Sequence, residues 1–157
     1  MRVMTRLNGV PFSFEAEPGE RLVDVVRAHG MTGTKYGCGS GECGACVVLL
    51  DGEPVNSCLV LAPRVDGHSV TTIEGLGTPT SPHPLQEAFA DAGAVQCGYC
   101  TPGMVLSAYA LLQRNPCPTR EDVAAALDGN LCRCTGYVKI IDAVMHAAER
   151  MREEMPS

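Results

Sequence analysis

The sequence predicts an α+β protein in two parts, a small β-rich unit followed by a helical one. Three observations carry this. Residues 1–76 alternate apolar and polar side chains around two turn dipeptides, Asn8-Gly9 and Asp51-Gly52. Residues 85–157 instead repeat apolar side chains every three or four positions between capping signals. "GTPTSPHP", residues 77–84, is rich in Pro, Thr and Ser and suits an extended linker between the two.

In "MTRLNGVPFSF" two short strands flank Asn8-Gly9, a pair that favours the tight turn of a β-hairpin. Val10, Phe12 and Phe14 alternate, so they are expected on one buried face. "GERLVDVVRAHG" reads as a helix: Leu22, Val25 and Val26 fall at i, i+3, i+4, and Gly30 suits the position just past its end. "CVVLLDGEPVNSC" gives an apolar strand and a second turn at Asp51-Gly52, and "HSVTTIEG" gives a last strand. Hairpin, helix and further strands make a small sheet unit.

Past the linker, "PLQEAFADAG" begins the helical series. "TPGMVLSAYALLQRN" has Thr101 as expected N-cap, Pro102 at the first helical position, and a stripe of Met104, Ala108, Leu111 and Leu112. "PTREDVAAALDG" has Thr119 as N-cap, Glu121 and Asp122 in the first turn and Gly129 as a stop. "TGYVKIIDAVMHAAERM" places Tyr137, Ile140, Ile141, Val144, Ala148 and Met151 along one face. Four helices with short connections predict a small bundle.

The net charge is −6 and no run of Lys or Arg forms a phosphate-binding face, which argues against a nucleic-acid partner. No apolar stretch approaches the roughly 20 residues of a membrane span. The N-terminus shows no secretory pattern, so a reducing, cytoplasmic setting is expected. In such a setting nine cysteines are better explained as metal ligands than as disulfides.

Eight of the nine form two quartets: Cys38, Cys43, Cys46 and Cys58, then Cys97, Cys100, Cys132 and Cys134. The first spells C-x4-C-x2-C with a distant fourth cysteine, the plant-type arrangement for a two-iron, two-sulfide cluster. Gly33, Gly37, Gly39, Gly41 and Gly44 in and before this loop let the backbone turn N–H groups toward the sulfurs. The same stretch, "GCGSGECGAC", also spells G-x-G-x-x-G. A dinucleotide fingerprint needs a preceding strand and a helix opening at the glycines, and here a helix precedes and a strand follows. The second quartet, C-x2-C-x31-C-x-C, has each pair followed at once by an expected helix start. Two helix N-termini would then face one anionic centre. Zinc is the alternative for both quartets. The x4 spacing, the glycine density and the C-x-C pair fit a binuclear core better than paired zinc knuckles.

Cys117, between two prolines in "NPCPT", reads as incidental, and His29, His68, His83 and His146 form no ligand pair. The Met residues read as core filler. Lys35 and Tyr36, just before the first loop, either support it or touch a partner.

"GCGSGECGAC", "QCGYCTPGM" and "NLCRCTGY", in this order and spacing, closely resemble the small iron–sulfur subunit of the molybdenum hydroxylases, the family of xanthine dehydrogenase, aldehyde oxidoreductase and carbon monoxide dehydrogenase. The likeness covers about residues 3–150. It implies a ferredoxin-like β-grasp domain and then a four-helix bundle domain, each with one 2Fe–2S cluster. Cys97, Cys100, Cys132 and Cys134 would hold the molybdenum-side cluster; Cys38, Cys43, Cys46 and Cys58 would hold the flavin-side one. Gln96 and Cys134 match positions that contact the molybdopterin-type cofactor, and Gly39, Ser40, Gly41 and Glu42 match the loop facing the flavin. The implied role is electron transfer from molybdenum to FAD during oxidation of a purine, another N-heteroaromatic, an aldehyde, CO or an aromatic CoA ester. The implied partners are a large molybdenum–pterin subunit and a medium FAD subunit, in a dimer of heterotrimers. A stand-alone di-cluster ferredoxin and a zinc-binding interaction module are the competing expectations.

Overall fold

In the computed structural model, which describes residues 1–155, two hairpins and a returning strand make one five-stranded sheet. Strands β1 (Arg2–Leu7) and β2 (Val10–Glu15) pair antiparallel, and β3 (Val47–Leu50) pairs likewise with β4 (Glu53–Asn56). Both turns put two consecutive residues at positive φ: Asn8 at 52° and Gly9 at 81°, Asp51 at 50° and Gly52 at 86°. That geometry matches the right-handed twist of the strands it joins, which is why Asn-Gly and Asp-Gly stand there. Strand β5 (Ser69–Thr71) enters between the hairpins, parallel to β1 and antiparallel to β3, so the order is β2-β1-β5-β3-β4.

Helix α1 (Leu22–Ala28) lies against one face of the sheet. Leu22, Val25 and Val26 pack there with Val3, Leu7, Phe14, Val48 and Val70. The helix ends as expected: Gly30 takes φ +88°, and the Met31 N–H donates to the Val26 carbonyl. His29 closes it with Nδ1 2.8 Å from the Val25 carbonyl oxygen and its ring edge-on to Phe12. Val10 departs from the expected alternation and is exposed, while Phe14 is buried and Phe12 half-buried. Val10 opens the edge strand β2 directly after the turn and has a neighbouring strand on one side only, with Leu7 opposite it.

The helices are α2 (Pro84–Asp91), α3 (Thr101–Arg114), α4 (Arg120–Leu127) and α5 (Val138–Glu153). Leu85, Phe89, Met104, Ala108, Leu112, Val123, Leu127, Ile140, Val144 and Ala148 form their common core. Leu111, Ile141 and Met151, expected on the apolar stripes, are half-buried at its rim. Thr119 caps α4 as expected, its Oγ1 accepting from the Asp122 N–H and the Asp122 carboxylate accepting in return from the Thr119 N–H. His83 does the same for α2: Nδ1 accepts from the Leu85 N–H, and Gln86 accepts from the His83 N–H.

Two helix starts differ from expectation. Cys100 already has helix-like φ and ψ, so α3 begins one residue earlier, with Thr101 at the first helical position, Pro102 at the second and no side-chain cap. Helix α5 begins only at Val138, because Tyr137 sits in the left-handed region at φ 72° and breaks the chain direction after Cys134. The second cysteine pair therefore lies on a loop, and only one helix N-terminus abuts its cysteines directly.

Helix α3 joins the two halves. One face lies in the helical core, while Leu106 and Ala110 pack against Val47 and Leu49 of β3. Val48, between them, points to the α1 side, so β3 is buried on both faces. This explains why "VVLL" is continuously apolar rather than alternating.

Candidate metal centres

The first quartet is built on a loop that crosses from α1 to β3. Gly39, Gly41 and Gly44 all take positive φ (70°, 81° and 71°), and this alternation turns successive N–H groups inward. The Ser40, Glu42 and Cys43 N–H groups donate to Cys38 Sγ at 3.3–3.4 Å, and the Cys38 N–H donates to Cys43 Sγ at 3.4 Å. A Cβ on Gly37 would stand 2.7 Å from Cys43 Sγ, so the loop wraps its sulfurs too closely for any side chain there. Cys46, at the entry to β3, and Cys58, just past β4, are buried together against Val23 of α1. Asn56 donates from Nδ2 to the Gly41 carbonyl and ties the loop tip to β4.

Charge follows this geometry. Hydrogen bonds from the Ser40 side chain and from the N–H groups of Ser40, Cys43 and Glu42 hold the Cys38 thiol down at about 5. Burial pushes the Cys58 thiol up to about 11, with the Cys46 thiol beside it adding to the rise. One end of the loop thus holds a ready thiolate, and the other holds in Cys58 a buried thiol that gives up its proton less readily.

The second quartet comes from two separated loops. Cys97 and Cys100 precede α3; Cys132 and Cys134 lie on the loop between α4 and α5. All four line one cavity of ≈ 200 Å³ together with Gly37, Cys43 and Ala45 of the first loop. Burial and the neighbouring Cys132 thiol raise Cys100 to about 12. Burial also pushes Cys132 up, but the Thr135 hydroxyl and N–H outweigh it and leave this thiol below its ordinary value. At Cys134 the Cys97 N–H pulls downward, yet the Cys97 thiol, burial and the charges of Cys97 and Cys132 leave it raised. The Tyr137 hydroxyl, which accepts from the Cys132 N–H at 2.8 Å, anchors the loop from the helix that follows.

Among the described residues no group of three or more His, Cys, Asp or Glu side chains is set to hold a single metal ion. Inward N–H groups, buried thiols at Cys58 and Cys100, and glycine in place of a side chain all fit a compact anionic metal–thiolate core. Cys117 lies exposed on the α3–α4 loop, outside the cavity lined by the second quartet. Gln96, Cys97 and Cys134 are exposed, as are Ser40 and Glu42 at the tip of the first loop. Tyr36, Leu59, Tyr99 and Leu131 leave apolar surface in the same neighbourhood.

Residues 5–70 match the family of 2Fe-2S iron-sulfur cluster binding domains, and residues 72–145 match the [2Fe-2S] binding domain family. The nicotinate dehydrogenase small FeS subunit of Eubacterium barkeri is 52% identical over 92% of both chains. The chain belongs to the small iron–sulfur subunits of the molybdenum hydroxylase family. Quinoline 2-oxidoreductase from Pseudomonas putida superposes with a TM-score of 0.93 at 45% identity, over 98% of this chain and 97% of that one. The aldehyde oxidoreductase of Desulfovibrio desulfuricans gives a TM-score of 0.95 at 47% identity. There the chain covers 17% of a much longer polypeptide. Among the described residues the architecture is mixed α+β, with one small sheet and five α-helices, and the part of that enzyme it superposes on shares this fold.

Three links between the quartets escaped the sequence, one of them from the Leu131 N–H to the Cys43 carbonyl. The Tyr99 hydroxyl donates to the Tyr36 carbonyl, and Asn130 bridges to the Gly44 carbonyl. Tyr36 and Lys35 both brace the first loop: the Tyr36 hydroxyl accepts from Arg21 at 2.9 Å, and the Lys35 N–H donates to the Ala45 carbonyl.

Proposed function

We propose that this chain is the electron-transfer subunit of a molybdenum hydroxylase complex. It consists of a ferredoxin-like β-grasp domain (1–76), a linker (77–84) whose last residue, Pro84, opens α2, and a four-helix bundle domain (85–157), of which 156 and 157 lie outside the described residues. Cys38, Cys43, Cys46 and Cys58 hold the flavin-side 2Fe–2S cluster; Cys97, Cys100, Cys132 and Cys134 hold the molybdenum-side one. When bound, the clusters carry single electrons between a molybdenum–pterin site and FAD in larger partner subunits. The chain's own residues hold the thiolates, aim N–H groups at their sulfurs and shield Cys46 and Cys58 from water. Gln96 and Cys134 contact the pterin cofactor, and Gly39, Ser40, Gly41 and Glu42 face the flavin. Both groups of residues are largely exposed, as partner contacts must be before assembly.

The observation that carries this reading is the bordering of one cysteine quartet on the other: Gly37, Cys43 and Ala45 line the cavity of the second. Two one-electron carriers placed this way make a relay. The assembly is a dimer of heterotrimers in the cytoplasm, and no helix among the described residues is long and apolar enough to cross a membrane. Relatives named for nicotinate and quinoline put an N-heteroaromatic among the candidate substrates, and those named for aldehydes keep an aldehyde beside it. Dithionite reduction should bleach a red-brown chromophore, and EPR should resolve two distinct 2Fe–2S signals. A colourless chain with stoichiometric zinc would overturn the proposal. Purification as a stable monomer, rather than with two larger chains, would mark it as a free ferredoxin instead.

A further inference from the structure

From the seam between the two cysteine loops we infer that Asn130 is the positioning residue that fixes one quartet relative to the other. The inference rests on the two-cluster reading above. Asn130 is 3% exposed and uses both ends of its amide. Its Nδ2 donates to the Gly44 carbonyl at 3.2 Å, and its Oδ1 accepts from the Ser107 hydroxyl at 2.9 Å. Next to it, the Leu131 N–H donates to the Cys43 carbonyl at 2.9 Å. Residues 130 and 131 therefore grip residues 43 and 44, each pair adjoining or containing a quartet cysteine, while Ser107 anchors the grip to α3.

The backbone around this contact leaves no slack. A Cβ on Gly44 would lie 2.3 Å from the Gly129 carbonyl oxygen and 2.7 Å from Asn130 Nδ2. A Cβ on Gly103, in the first turn of α3, would lie 2.4 Å from the Gly44 carbonyl oxygen. Three backbone segments thus meet with only a carboxamide between them. The amide is needed because the site offers one buried acceptor and one buried donor at once, and only a side chain with both functions satisfies them. Asp at this position would keep the acceptor for Ser107 but turn a carboxylate oxygen toward the Gly44 carbonyl.

The test is the magnetic interaction between the two reduced clusters, which depends steeply on their separation and orientation. It is measured by EPR on the full chain, purified with whatever larger chains accompany it. In Asn130→Asp the expected result is full iron content and both parent signals, with the splitting between them altered or broadened and electron exchange between the clusters slowed in stopped-flow reduction. Wild-type splitting in that variant would overturn the inference. If Asn130→Asp fails to assemble both clusters, Ser107→Ala decides. It removes one contact and leaves the Asn130–Gly44 bond, so a smaller change in splitting supports the positioning role and an unchanged splitting overturns it. Absence of two signals in the wild type would instead remove the two-cluster reading itself.

Discussion

The two quartets solve one chemical problem by opposite means. The first is local: three of its four cysteines fall within residues 38–46, on a loop whose glycines supply the turns and the N–H donors. The second is assembled at a distance, one pair before α3 and the other before α5, and exists only when those helices pack. The local site buries Cys46 and Cys58 and exposes Cys38, whereas the distributed site buries none of its four and exposes Cys97 and Cys134. A loop-built centre depends on backbone conformation, and a helix-built centre depends on a hydrophobic core. Damage to either kind of support should therefore be felt unequally.

The largest expected effect is selective loss of one centre. Cys134→Ser should abolish the second-quartet EPR signal and leave the first largely intact; loss of the first instead would break the division of labour. Phe89→Ala comes next. Phe89 is 1% exposed in the helical core, and its truncation should cost about 3–5 kcal/mol. In a denaturant titration followed by EPR, the second-quartet signal should disappear before the first. If the two vanish together, the sheet unit and the helices unfold as one body.

A smaller effect sharpens the comparison within the first loop. Gly44→Ala places a methyl in left-handed backbone against the Gly129 carbonyl, and should cost at least about 2 kcal/mol. Gly41→Ala shares the backbone strain, but its methyl meets only the end of the Leu59 side chain, which is exposed and can move. Thermal melts of the two variants should rank Gly44→Ala clearly below Gly41→Ala; equal melting points would show that the Gly44 seam is not tight.

The smallest effect is a pH dependence confined to the helical half. Burial holds the His83 ring below its ordinary pKa, and its Nδ1 must be unprotonated to accept the Leu85 N–H. The unfolded chain thus binds this proton more readily than the folded one. The contribution of His83 is complete above its unfolded pKa, about 6.5, and declines as pH falls from there toward the lower folded value. His83→Asn keeps a capping acceptor and should flatten that part of the melting-temperature profile between pH 7 and 5. An unchanged slope would assign it to another group.

Much of the scaffold was legible because it is encoded within a few residues. Asn8-Gly9 and Asp51-Gly52 name their turns, Thr119 and Asp122 name a cap, and the cysteine spacings name both quartets. What could not be read depends on contacts far apart in sequence. The insertion of β5 between the hairpins follows from pairing across more than 60 residues. The double burial of β3 needs α3, and the late start of α5 follows from the left-handed Tyr137, whose hydroxyl is held by Cys132. Thr101 looked like a cap because its type suits one, but the backbone of Cys100 had already turned helical. The grip of Asn130 is likewise silent, since nothing nearby in sequence announces the Gly44 carbonyl 86 residues away.

The meeting of Gly44 with Gly103 constrains how such a chain can be recombined. A hybrid joining the sheet unit of one relative to the helices of another would carry a junction at the linker. Its compatibility would be decided elsewhere, at three positions that must arrive together: no side chain at 44, none at 103, and a carboxamide at 130. A hybrid that mismatched them could fold both halves soundly and still misalign the pair, giving two good centres that exchange electrons poorly.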